Sequence, residues 1–142
     1  MLDRSGQPED NHLEPPTVVL VGHCGFDSGG LQRTTQQAIP GSEITSTHRL
    51  DELERHADAG ALLLINRVPE GSFQGMSGLE LITHLHTRAA EQEKSPLTML
   101  VSDLPDAQTA AEAAGALPGF GKSRLSSPDT HERLRSAFPA SP

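Results

Sequence analysis

The chain has 142 residues, with 19 Asp and Glu against 11 Lys and Arg and a formal net charge of −8, a length that suits one domain and leaves no room for two. Its basic residues are dispersed, so it is a poor partner for nucleic acid or an anionic membrane, both of which need a positive field. A single cysteine, Cys24, rules out an internal disulfide and a Cys-rich zinc site, and the absence of Trp and Tyr leaves the core to Leu, Ile, Val and Ala.

Residues 1–16 are polar, rich in Pro and acids and without apolar periodicity, and they read as a disordered leader ending at Pro15-Pro16. They hold no apolar signal-peptide core, and no stretch is apolar for long enough to span a membrane, so a cytoplasmic location is expected. Thr17–Val21 is a β-branched apolar run closed by Gly22, the pattern of a strand buried on both faces. Ser28–Ile39 carries Leu31, Thr34, Thr35, Ala38 and Ile39 at helical spacing, stops at Pro40-Gly41, and offers Ser28 as N-cap. Glu43–His48 alternates weakly and predicts a half-exposed strand. Asp51–Ala59 is a charged helix ended by Gly60, best explained as a solvated face.

Ala61–Ile65 is the most apolar run and the candidate central strand. A turn-rich loop, 66–77, leads to a helix over Gly78–Ala90 with Leu79, Ile82 and Leu85 inward and His86 at their edge. Leu97–Val101 predicts another buried strand, Asp106–Ala114 a helix closed by Gly115, and a short segment surrounds Gly119-Phe120-Gly121. Pro128–Phe138 is the last helix, with Leu134 and Phe138 inward, and 139–142 form a tail. Repeated βα units with buried apolar strands imply an α/β domain over 17–138 with a parallel sheet covered on both faces. In such sheets function sits at the carboxyl ends of the strands, here Gly22-His23-Cys24, Asn66-Arg67, Ser102-Asp103 and Gly121-Lys122.

The segment from Ala116 to Ser123 matches a relaxed phosphate-loop pattern, with Ala at the usual first Gly. A working loop needs a buried strand before it and a helix after it, whereas here a helix precedes and Pro118 removes a backbone donor. The segment is read as structural.

Val68-Pro69 after the third strand, Gly78-Leu-Glu-Leu81 opening the third helix, Ser102 ending the fourth strand, and Ala114-Gly115-Ala116 followed by Lys122 occur in an order that resembles the receiver domains of response regulators, the CheY-like superfamily. The resemblance covers about residues 17–138. It implies a (βα)5 flavodoxin-like three-layer sandwich whose five-stranded parallel sheet has the order 2-1-3-4-5. It also implies a phosphoryl-accepting Asp ending the third strand, an acidic pair binding Mg²⁺ after the first, a Ser or Thr and a Lys on the phosphoryl oxygens, and an aromatic reporter in the fifth. The carboxylate is the nucleophile, and the metal neutralises the developing charge.

Carried onto this chain, the acceptor position falls on Asn66, whose amide is no comparable nucleophile. The acidic pair falls on Gly22 and His23, neither of which offers hard oxygen ligands, so Mg²⁺ binding is expected to be lost. Ser102 keeps the hydroxyl and Lys122 the cation, Ser123 replaces the Pro after that Lys, and the reporter position is Gly119. Lys122 is expected to bond the Asn66 side-chain oxygen or a nearby carbonyl, with Asp27 and Asp103 as alternative partners.

Relatives run more directly from the Pro to the Gly of the third helix. Here Gly78 comes nine positions after Pro69, adding Glu70-Gly-Ser-Phe-Gln74. Phe73 in this polar loop has two readings, a lid folded on the apolar edge or, with Glu70 and Gln74, an anchor for a partner. The histidines do not form a site: His84 and His86 are two apart on a helix, about 200° around its axis. A metal site on His23, Cys24 and Asp27, or an enzyme using Cys24 or His23, are alternatives to a structural, partly exposed His23 and a buried Cys24. The expected function is therefore a stand-alone receiver-like domain of two-component phosphorelay signalling. It is no enzyme, is independent of phosphorylation and of cofactors, and binds another signalling protein as a monomer or weak homodimer. A genuine phospho-accepting receiver, using Asp27 or Asp103, and a small-ligand or metal binder are the alternatives.

Overall fold

A computed structural model describes residues 15–138. The expected leader, apart from its last two residues, and the tail at 139–142 lie outside the described residues. Five strands alternate with helices: β1 (Thr17–Val21), α1 (Gly25–Ala38), β2 (Glu43–Thr47), α2 (Leu50–Asp58), β3 (Leu62–Asn66), α3 (Gly78–Ala90), β4 (Leu97–Val101), α4 (Pro105–Ala113), β5 (Leu117–Phe120) and α5 (Pro128–Ser136), with a 3-10 turn at Lys122–Arg124. All pairings are parallel and the sheet order is β2-β1-β3-β4-β5. This is the flavodoxin-like three-layer architecture expected.

Strand alternation builds two cores. Val18 and Leu20 face one side with Leu62, Leu64, Met99 and Val101, where Leu31 of α1 and Leu134 of α5 cover them. Val19 and Val21 face the other, with Leu63 and Ile65, under Leu53 of α2, Leu81, Ile82 and Leu85 of α3 and Ala111 of α4. β3 is central and wholly buried, as its unbroken apolar run predicts. Helix starts follow local chemistry: Ser77 and Glu80 form a reciprocal capping box on α3 (3.1 and 2.8 Å), and Ser127 caps α5 ahead of Pro128. Among the described residues no helix is long and apolar enough to cross a membrane.

Two expectations change. The first helix begins at Gly25 rather than Ser28, because the Cys24 sulfur, not Ser28, accepts the Asp27 N–H (3.5 Å). That capping role leaves Cys24 half-exposed, whereas His23 turns inward and is buried. Of the two readings of Phe73 the folded-in one holds: the ring is 2% exposed and belongs to the α2–α3–α4 core. Only Glu70 and Gln74 of the loop side chains proposed to meet a partner point to solvent. A large ring gains more from joining an adjacent apolar cluster than from resting in water. The β5 register also slips between Met99↔Leu117 and Val101↔Phe120, so one extra residue sits in β5. Phe120 thereby faces the α1–α5 core, 3% exposed.

Truncation of a buried aromatic removes its transfer energy and leaves a void. Phe73→Ala is expected to lower unfolding free energy by about 3–5 kcal/mol in a urea titration. An exposed anchor would lose only a few tenths.

Candidate functional site

The carboxyl ends of β1, β3, β4 and β5 surround a cleft of about 540 Å³, whose lining includes Asp27, Asn66, Arg67, Ser102 and Lys122. At its floor Asn66, last residue of β3 and buried, donates its amide Nδ2 to the Gly22 carbonyl oxygen (2.9 Å). Gly22 has φ +72°, a left-handed conformation that favours glycine, and its N–H continues the β1–β2 ladder to Thr47 O (3.1 Å).

Lys122 does not reach Asn66. Its Nζ lies 2.7 Å from Asp27 Oδ2, across the cleft from the first turn of α1. The alternative ion pair forms in place of the expected bond to the amide oxygen because Asp27 offers a full negative charge and Asn66 offers none. The Lys122 ammonium holds the Asp27 carboxyl below its ordinary pKa, chiefly through this hydrogen bond. Both partners are partly solvated, so the pair positions α1 against the end of β5 more than it adds stability. Asp103, the other possible partner, accepts instead from Ser123 Oγ (2.6 Å) and the Ser123 N–H (3.3 Å). Ser102 Oγ accepts from Leu104 N (3.1 Å) and keeps its own proton to donate.

His23, at the second acidic-pair position, donates from Nε2 to Leu64 O (2.8 Å), and its Nδ1 has no hydrogen-bond partner. Burial pushes its pKa down to about 4, the bond to Leu64 pulling the other way and the Lys122 charge adding to the fall. It is a neutral, structural imidazole. His48 in turn donates from Nε2 to the His23 carbonyl (3.1 Å).

At the reporter position, a β-carbon on Gly119 would meet the Gln108 amide at 2.7 Å and the Leu100 carbonyl oxygen still more closely. Gln108 donates from Nε2 to Leu100 O (2.8 Å) and Ser102 O (3.0 Å) and accepts from Gly119 N (3.2 Å). Arg133 of α5 bonds the Gly119 carbonyl from the other side. An α4 side chain thus clamps β4 to β5 where the resemblance implies an aromatic ring. No sequence pattern singled out Gln108, because an amide on an Ala-rich helix carries no periodic signal. The phosphate-loop match resolves into strand β5 and the 3-10 turn, with its Lys122 committed to Asp27.

His84 pairs with Glu54 (2.7 Å) and His86 with Thr98 (2.8 Å), so they serve different neighbours. Among the described residues no group of three His, Cys, Asp or Glu is placed to hold a metal ion, and His23, Cys24 and Asp27 form no such set. The large apolar side chains left most in solvent are Phe26 (90%), Val68 (62%) and Leu104 (50%). Val68 and Leu104 line the cleft, and Phe26 neighbours Asp27. Sequence reasoning missed Phe26 because it started the helix at Ser28; with the helix extended to Gly25, Phe26 falls out of phase with the Leu31, Thr34, Thr35, Ala38 stripe.

No family model and no curated protein matches this chain. Solved structures do. A response regulator receiver domain from Rhodospirillum rubrum superposes with TM-score 0.56 at 13% identity over 84% of this chain and 89% of that one. A Francisella response regulator receiver domain gives 0.61 at 11% over 87% and 96%. FixJ-N gives 0.61 at 15% over 91% and 100%. The class so defined is the receiver-type fold of two-component response regulators.

A histidine whose folded pKa is depressed stays neutral while its unfolded counterpart protonates, so stability falls as pH drops below 6.5 and the loss is complete near pH 4. The His23 contribution is about 1.4 kcal/mol per pH unit, and the partly buried His86, also shifted down, adds in the same direction. In urea titrations between pH 7 and 4, His23→Gln is expected to remove most of this slope.

Proposed function

We propose that this chain is a receiver-type signalling domain that has lost phosphorylation switching and acts by binding another protein. The observation that carries the reading is the pairing at the strand ends. The residue at the acceptor position is an amide that donates to Gly22 O, and the lysine that would read a phosphoryl group is paired with Asp27. The ionised side chains lining the cleft are Arg67 and Lys122 against Asp27, Glu70 and Asp103, an excess of acid that repels a phosphodonor. Asp27 and Asp103, the alternative acceptors, are engaged by Lys122 and Ser123.

The binding mode follows from the rim. Val68 and Leu104 leave apolar surface in the cleft and Phe26 leaves more in the first turn of α1, and exposed apolar groups beside polar ones mark interaction sites. In this reading the domain is cytoplasmic, non-enzymatic, free of cofactors, and a monomer or weak dimer. A small-ligand binder is the second reading, favoured by the cleft's position beside the β1–β3 seam, from which the connections after β1 and β3 leave in opposite directions, the switch point of such sheets.

Incubation of the unmodified chain with acetyl phosphate and Mg²⁺ is expected to leave its intact mass unchanged. Gain of one phosphoryl group would sink the reading. In affinity capture from cell extract, Phe26→Ser combined with Leu104→Ser is expected to weaken retention of a bound protein about tenfold or more, with the far-UV circular dichroism unaltered. Equal capture would remove the rim from the model of action.

A further inference from the structure

The receiver fold implies a divalent cation held beside the acceptor by an acidic pair, and the residues present do not fit one. Gly22 has no side chain, His23 is buried and bonded to Leu64 O, and Asn66 turns its donor, not an oxygen, toward Gly22. The misfit extends beyond those three side chains to the space they would need.

Residues 69–75 cross the ends of β1 and β2 as a strap. Pro69 sits on Gly22, where an added β-carbon would lie 2.5 Å from Pro69 Cβ and 2.7 Å from its Cα. Real side chains do not approach so closely, so position 22 has no room for an aspartate while the strap is in place. Glu70 N then donates to Gly22 O (2.9 Å), sharing that oxygen with Asn66. Ser72 N donates to His48 O (2.7 Å), Leu50 N donates to Ser72 O (3.1 Å), and Arg49 and Ser72 form a parallel bridge. Phe73 closes the strap by entering the core. Backbone bonds to two different connections plus a buried ring hold the segment at both ends.

We propose that this strap, and not only the loss of acidic side chains, abolishes the cation site: it fills the space of the first acidic position and locks the β1–α1 connection to the β2–α2 connection. The inference goes beyond the phosphorylation-independent reading and is tested separately from it. Restoring acids alone leaves the site closed. Removing the strap opens it.

The test is isothermal titration with Mg²⁺ on two full-length variants, each checked for a cooperative urea transition. Gly22→Asp, His23→Asp and Asn66→Asp together, with the strap intact, are expected to give no saturable heat. The same three substitutions with 69–74 deleted are expected to bind. Binding by the first variant, or none by the folded second, overturns the proposal.

Should either variant not fold, hydrogen exchange on the natural chain decides. A strap that holds position 22 closed is expected to protect the Glu70 and Ser72 amides to within about tenfold of those of α5. Exchange of those two amides at the rate of an open loop overturns the proposal. Both readouts are independent of whether the natural chain accepts phosphate.

Discussion

The backbone of one residue, Gly22, holds the functional end of this molecule together. The carbonyl oxygen of Gly22 accepts from the Asn66 side chain and from the Glu70 backbone, while the Gly22 N–H reaches Thr47. A carbonyl has two lone pairs, so both donors are accommodated, and β1 is tied at one point to β2, β3 and the loop after β3. A carboxylate at position 66 has no hydrogen to give and would set negative oxygen against that carbonyl. The amide at the strand end is therefore a structural donor as well as a residue with no nucleophilic carboxylate. The left-handed backbone at Gly22 is what turns its carbonyl toward both donors.

The charges follow from that constraint. With Asn66 neutral and committed, Lys122 has no carboxylate at the floor of the cleft, and an unpartnered ammonium in a half-buried site is costly. Asp27 supplies the counter-charge from the first turn of α1, where a carboxylate also suits the positive end of a 14-residue helix. Asp103 is left to Ser123 and organises the turn after β5. The same acidic and basic residue types that serve phosphoryl chemistry in receivers are here arranged as internal ties.

Apolar groups complete the arrangement. Phe73, the large side chain of the inserted segment, goes inward and fastens the strap, whereas Val68 and Leu104 stay exposed in the cleft and Phe26 stays exposed on α1. The site therefore has a covered side over β1 and β2 and an open, partly apolar side toward β3 and β4. Gln108 and Arg133 grip Gly119 from opposite directions, which stiffens the β4–β5 edge where receivers carry a mobile ring.

Length, the alternation of apolar strands with periodic helices, and the order of short motifs were enough to determine an α/β receiver-type fold, with most element ends within a residue or two. These signals are local: a run of Leu and Ile at 62–65 means a buried strand whatever surrounds it. Gly22, His23, Asn66, Ser102, Gly119 and Lys122 could be named as candidates for the same reason, since each is counted from a nearby strand end. What only the tertiary structure decided is which groups meet. Lys122 finds Asp27 across 95 positions, Asn66 finds Gly22 across 44, Gln108 reaches β5, and Phe73 turns in while Phe26 stays out. No periodicity encodes those choices, because a side chain's partner depends on which strand ends the sheet order places side by side and on which acceptors other donors have already taken.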